Sequence, residues 1–194
     1  MTILSRNDQK GRSMVEMLGV LAIIGVLSVG GISGYSKAMA KFKLTKAQDQ
    51  ISMLLMNVRT AFATSPNYDN LTVANAIAYN ISPGDMVIDA SNLSNAFGGA
   101  TIVAACDETD VKTQCANVDA SAGTNQYFAI KLDRLAKETC VSLASSDWGS
   151  DGLVGMDING AKHIASDMPV SFIDAGNATN CGKQDYSTIT WVYY

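Results

Sequence analysis

From Met14 to Tyr35 the chain runs through apolar and small residues with one charged side chain, Glu16. Such a run is about 22 residues, or about 33 Å as a helix, which matches the hydrocarbon thickness of a bilayer and predicts a membrane-crossing helix. From Ser36 the pattern turns amphipathic. Ala47, Ile51, Leu54, Leu55, Val58 and Phe62 recur at helical spacing, and Lys46, Gln48, Asp49, Gln50, Asn57 and Arg59 fill the other side. Neither a proline nor an Asn-Gly pair interrupts residues 14–63, so both halves read as one helix, of about 50 residues and about 75 Å. Its first half is an anchor and its second half a spine for a globular head. The helix should end before Pro66, because the residue preceding a proline is pushed away from helical angles.

Beyond Pro66 the pattern is mixed. Residues 71–80 read as a short helix, and residues 100–105 and 126–132 as strands. Residues 133–144 read as a helix that turns Leu135, Ala136, Cys140 and Leu143 toward a core. Asn159-Gly160, between residues 154–158 and 161–164, signals a hairpin. Residues 187–194 are β-branched and aromatic, as a closing strand should be. The expected fold class is therefore α+β: a long N-terminal helix packed on a head with an antiparallel sheet.

Composition narrows the function. The formal net charge is −4 and no basic patch points to nucleic acid. Four cysteines, Cys106, Cys115, Cys140 and Cys181, all follow the apolar run. An even number beyond a membrane segment suits disulfides in an oxidising compartment, which places the head on the exported side. Lysines after the span outnumber the basic residues before it and argue the reverse topology; the cysteines decide the reading. Spacing alone leaves all three pairings of the four cysteines open. A zinc site lacks a Cys-x-x-Cys pair and has only His163 as a histidine ligand. His163 is also the only base for a Ser-His or Cys-His pair, so it reads as a strand or surface residue and no enzyme is expected. Asp147, Asp151 and Asp157 lack the spacing of a calcium loop and read as solvated turns. No cofactor is expected.

A carboxylate in an apolar span costs several kcal/mol and should have a task or a partner. Glu16 lies five residues past Gly11, in the segment Lys10-Gly11-Arg12-Ser13-Met14-Val15-Glu16-Met17-Leu18. That segment resembles the cleavage and methylation site of type IV prepilins, in which a peptidase cuts after a Gly and the fifth mature residue is Glu. Arg12 departs from the apolar residue usual at the first mature position. The interval from Cys140 to Cys181 and the residues Thr188-Ile189-Thr190-Trp191 resemble the head of the type IVb pilins, the bundle-forming and toxin-coregulated kind.

The resemblance implies a leader at residues 1–11, a membrane and filament-core helix at 12–35, its amphipathic continuation at 36–64 and a pilin head at 65–194. It implies processing at Gly11 and Arg12, and an assembly role for Glu16, which attracts the new amine of a neighbouring copy. It implies that Cys140 pairs with Cys181, leaving Cys106 for Cys115. The implied partners are the prepilin peptidase, the assembly machinery of the inner membrane, further copies in a helical filament, and a host or neighbouring-cell surface. The implied locations are the inner membrane before assembly and an extracellular pilus after it. Gly19, Gly25, Gly30, Gly31 and Gly34 weaken the apolar helix, and Gly30 and Gly34 form a Gly-xxx-Gly pair. The stretch is expected to unwind when subunits pack into a filament. The alternatives are a minor pilin, a secretion-system pseudopilin, a secreted protein cut near Ser36, or a single-span membrane protein whose exported domain binds a partner.

Overall fold

The structure is a computed structural model that describes residues 14–120, 125–149 and 152–194. Gly11 and Arg12, with the rest of the proposed leader, lie outside the described residues. Helix α1 runs without interruption over Met14–Ala61. The chain divides into two units at Phe42 and Lys43, so the head unit includes the last part of α1.

In the head unit, helix α2 (Val73–Ala78) follows α1, then strands β1 (Val87–Asp89), β2 (Asn92–Ser94) and β3 (Ala100–Ala105). Helix α3 (Lys112–Asn117) leads into β4 (Phe128–Ala136), helix α4 (Lys137–Ala144), and the hairpin β5 (Leu153–Ile158) and β6 (Ala161–Ile164). A 3-10 turn (Ala165–Asp167), helix α5 (Phe172–Ala175) and β7 (Tyr186–Tyr193) complete it. The seven strands form one sheet in the order β1-β2-β3-β4-β7-β5-β6, with every pair antiparallel.

Alternation along the strands sorts side chains onto two cores. Val103, Ile130, Met156 and Trp191 face the side where α1 lays down Ala47, Ile51, Leu54 and Val58. On the other face Ala104, Ala129 and Val192 pack under Val111, Cys115 and Val118 of the segment around α3. A bond between Cys106 and Cys115, nine residues apart, closes that segment over the sheet. Gly155 on β5 permits its close approach, since a Cβ there would lie 2.6 Å from the His163 carbonyl and 3.1 Å from Val118 Cβ.

Two expected elements differ from the sequence reading. The helix expected over 71–80 forms only at Val73–Ala78, where Thr72 Oγ1 accepts the Asn75 N–H at 3.2 Å as an N-cap. Asn80, at φ 55°, has already left helical geometry. The helix expected over 133–144 begins at Lys137, because residues 133–136 continue β4 past a bulge. There the β4–β7 register shifts between Leu132 and Leu135, and Arg134 sits at φ 64°. Neighbours fix the bulge: Asn95 Nδ2 donates to the Asp133 carbonyl at 2.8 Å, and Asp133 Oδ1 accepts the Thr188 hydroxyl at 2.9 Å. A Cβ on Gly99 would stand 2.0 Å from that carbonyl, so only glycine fits beneath it. Leu135 then pairs with Ser187 as a strand residue and still faces the core.

Substituting Gly155→Ala should destabilise the head by about 1–3 kcal/mol, as overpacking between two fixed layers does. Chemical denaturation of the full chain in detergent measures it, and an unchanged midpoint would contradict the close packing of the α3 segment.

Candidate assembly site

The first half of α1 presents its side chains outward all the way round. Residues 14–38 are all exposed, among them Leu18, Ile24, Leu27, Val29 and Ile32. An 18-residue window of this helix is apolar and long enough to cross a membrane, with no part of it buried within the chain. Glu16 is exposed in the first described turn of α1. A Cβ on Gly19, Gly25, Gly30, Gly31 or Gly34 would meet nothing within 4 Å, so packing inside the chain does not require glycine there. The helix is continuous through all five.

The second half of α1 is fixed to the head by polar contacts as well as by its apolar stripe. Lys46 Nζ lies 3.0 Å from Asp85 Oδ2, and Gln50 Nε2 donates to the same oxygen at 2.9 Å. Gln48 donates to the Ser146 hydroxyl at 2.9 Å, and Asn57 to the Ile81 carbonyl at 2.7 Å. The bond from Lys46, joined by that from Gln50 against a modest opposing effect of burial, holds the Asp85 carboxyl below the usual carboxylate range.

A disulfide joins Cys140 on α4 to Cys181, 41 residues on, with Cα atoms 5.7 Å apart. Chain-entropy arguments assign about 4 kcal/mol to a loop of that length and about 2.5 kcal/mol to the nine-residue loop of Cys106 and Cys115. Beside it, Asn159 Nδ2 donates to the Asn180 carbonyl at 2.9 Å and to Ser187 Oγ at 3.0 Å, and Asn159 Oδ1 accepts the Thr188 N–H at 2.8 Å. Asn180 Nδ2 reaches the Asp174 carbonyl at 2.7 Å. These bonds tie the hairpin turn, α5 and the start of β7 into one block. The sequence marks Asn159 only as a turn residue; its second task, and the roles of Asn180 and Ser187, carry no local signal.

The residues singled out in the sequence do not converge on one pocket. Glu16 lies in the first unit, and the two disulfides sit against opposite faces of the sheet in the second. His163 on β6 has Nε2 3.2 Å from Asn180 Oδ1. Asp157 is buried and accepts from Asn117 Nδ2 at 2.7 Å and from the Gly160 N–H at 3.1 Å, so it serves the hairpin and α3. Asp147 Oδ1 accepts the Gly149 N–H at 2.9 Å, and Asp151 lies outside the described residues.

A helix of this length, apolar and outward-facing at first and then built into a disulfide-bonded head with an antiparallel sheet, defines the pilin class. The chain belongs to the PilS N terminal family, whose model matches residues 42–194. It is 25% identical over 167 residues to the major structural subunit of bundle-forming pilus of Escherichia coli O127:H6, covering 84% of this chain and 79% of that protein. It is 23% identical over 164 residues to the toxin coregulated pilin of Vibrio cholerae, covering 82% of this chain and 67% of that one. Among solved structures, the type IV b pilin from Salmonella typhi shares the fold with a TM-score of 0.51, at 21% identity over 78% of this chain and 97% of that chain. These relatives are structural pilins and not enzymes.

Tyr193 supplies a pH-dependent test of the head. Its ring is fully buried, its hydroxyl has no hydrogen-bond partner among the described residues, and the Arg59 guanidinium stands 5.7 Å from the ring centre. Burial raises its pKa far above the ordinary value, and Arg59 offsets only part of the rise. A raised pKa contributes stability that is complete below the unfolded value, about 10, and is lost as pH climbs toward the folded value. Tyr193→Phe should therefore flatten the loss of stability above about pH 10 while leaving neutral-pH stability within about 1 kcal/mol. Denaturation midpoints of both chains at pH 7 and pH 11 measure it; equal losses would contradict the assignment. Asp85 works at the other extreme: its contribution is present above the ordinary carboxylate range and lost as pH falls through its lowered value.

Proposed function

We propose that the chain is a prepilin, cut after Gly11 by a prepilin peptidase and held in the inner membrane by residues 12–35. The helix continues from residue 36 to Ala61, and its last part, from Lys43, belongs to the head unit. The mature subunit then polymerises through the inner-membrane machinery into an extracellular filament that serves adhesion or aggregation. The observation that carries this reading is the single carboxylate, Glu16, in the first turn of a 48-residue helix whose first half is apolar and exposed on every side. Such a surface needs lipid or other helices as its solvent. The relatives, one named as the major structural subunit of bundle-forming pilus and one as toxin coregulated pilin, support the same reading.

In this mechanism cleavage creates an amine on Arg12, methylated or not, and Glu16 of a neighbouring copy attracts it inside the apolar bundle. Removing one member of a charge pair in low dielectric leaves the other uncompensated, so the effect on assembly is large. The glycines from Gly25 to Gly34 let the helix unwind as subunits leave the lipid. A filament map with continuous helix through that stretch would refute the unwinding.

Intact mass and N-terminal sequencing of the protein from cells with and without the peptidase test the processing. A chain starting at Arg12 only when the peptidase is present is expected; an uncut chain, or one cut near Ser36, would move the reading to a membrane-anchored or secreted binding domain. Glu16→Ala should leave cleavage intact and reduce filament yield at least about tenfold. Electron microscopy of sheared filaments measures it, and normal filaments from that variant would sink the role of Glu16.

A further inference from the structure

Helix α1 is first fastened to the rest of the head at a single turn. Between residues 17 and 45 the only side-chain hydrogen bond among the described residues is local, from Ser36 Oγ to the Ile32 carbonyl at 3.0 Å, a back-bond of the kind that bends helices. Leu44 is only partly buried, and the first fully buried residue of α1 is Ala47, whose single methyl gives little to hold. The first large buried side chain is Ile51. In the turn between Leu44 and Ile51, Lys46 Nζ lies 3.0 Å from Asp85 Oδ2 and Gln50 Nε2 donates to the same oxygen at 2.9 Å. Asp85 is well placed to hold them, because its neighbour Met86 is fully buried. The Met86 N–H donates to the Pro83 carbonyl at 3.0 Å, and its carbonyl accepts the Ser94 N–H at 2.7 Å.

The charges along α1 give this fastening a task. From Met17 to Gln48 the chain has no acidic residue, and it carries Lys37, Lys41, Lys43 and Lys46. While α1 is continuous, these lysines lie far from either helix end. Unwinding over Gly25 to Gly34 would start a new helix near Tyr35, with Lys37, Lys41 and Lys43 in its first turns. Cations there oppose the positive end of the helix dipole, and the first N–H groups lose their carbonyl partners. Such an end frays, and each turn lost brings the next lysine to the new end. Asp85 brings a carboxylate to the helix from outside it, at the turn where burial begins.

We propose that Asp85, with Lys46 and Gln50, is a clasp that stops the unwinding of α1, so that fraying which starts in the glycine stretch ends at Lys46. The clasp rests on the unwinding proposed above for the filament and sets its limit. It leaves the buried stripe from Ile51 onward helical while the chain before it changes shape.

Hydrogen exchange read by mass spectrometry tests the clasp in filaments co-assembled from a variant and an excess of isotope-labelled unchanged chain. A helix that starts at Lys46 leaves about four N–H groups unbonded, so protection in the unchanged chain should begin near Gln50. Asp85→Ala should speed exchange at residues 50–53 about tenfold, as loss of a hydrogen bond to a charged group does, and leave residues 55–61 unchanged. Asp119→Ala, which removes the ion pair with Lys162 on β6, should leave α1 as it is. Protection that begins near Gln50 in the Asp85 variant too, or an equal shift in the Asp119 variant, would overturn the clasp alone. So would exclusion of a protease-resistant, disulfide-bonded Asp85 variant from the filaments, since one more frayed turn leaves the head and the apolar half intact. Protection running unbroken from Gly25 to Thr45 in the unchanged chain would overturn the unwinding itself, and the clasp with it.

Discussion

The head depends on the insertion of β7 between β4 and β5. In the order β4-β7-β5 no other described strand bonds to both halves of the sheet, and β7 supplies a bonded neighbour to each of them over most of its length. Its side chains serve both cores: Ile189, Trp191 and Tyr193 enter the face covered by α1, and Val192 enters the face covered by α3. Ser187 and Thr190 are buried with them. Pairings of this kind join residues far apart in sequence, so the entropy of closing long loops opposes them. The Cys140–Cys181 bond shortens the last of those loops, since it fixes the chain five residues before Tyr186 to a helix that packs on the same core. The Asn159 and Asn180 bonds then set the approach of β7 to the hairpin. Covalent and polar contacts thus position a strand whose apolar burial does most of the stabilising.

Elements whose signal is local could be read in the sequence. Helix α1 carries forty-eight residues of consistent pattern, and the Asn159-Gly160 turn needs φ above zero at both residues, which the structure shows at 54° and 91°. The β-branched tail forms a strand as expected. Elements set by their neighbours could not. Strands β1 and β2 have three residues each, too few for a period to register. The switch from strand to helix at Lys137 depends on a bulge held by Asn95, Thr188 and the bare backbone of Gly99, all distant in sequence. A helical reading of residues 133–136 fails there because tertiary pairing overrides local preference. The candidate site divides in the same way. Glu16 stands out because a single carboxylate in an apolar run is visible in one dimension, whereas the second task of Asn159 and the roles of Asn180 and Ser187 exist only once the hairpin, α5 and β7 are brought together.

The outward-facing apolar half of α1 and the polar-fixed half within the head answer two different physical problems. Where side chains face out on every side, association with lipid or with other helices is favourable in many rotational and axial settings, because burial of apolar area is non-directional. The exposed glycines allow close approach without demanding one partner geometry. The amphipathic half is different: Lys46 and Gln50 converge on one oxygen of Asp85, and such contacts hold only in one register.

A filament built on that apolar half therefore needs register from something other than hydrophobicity. Two opposite unit charges moved from about 4 Å to about 9 Å apart, one helical turn, lose about half of their attraction, while the apolar area buried between two long helices barely changes with the same slide. In the proposed assembly a charge near the start of the apolar helix would act as an axial ruler, and repeated in every copy its preference would accumulate along the polymer. One charge cannot also fix rotation about the helix axis. Rotation has to be set by directional contacts, of the kind that bring Lys46 and Gln50 to one oxygen of Asp85.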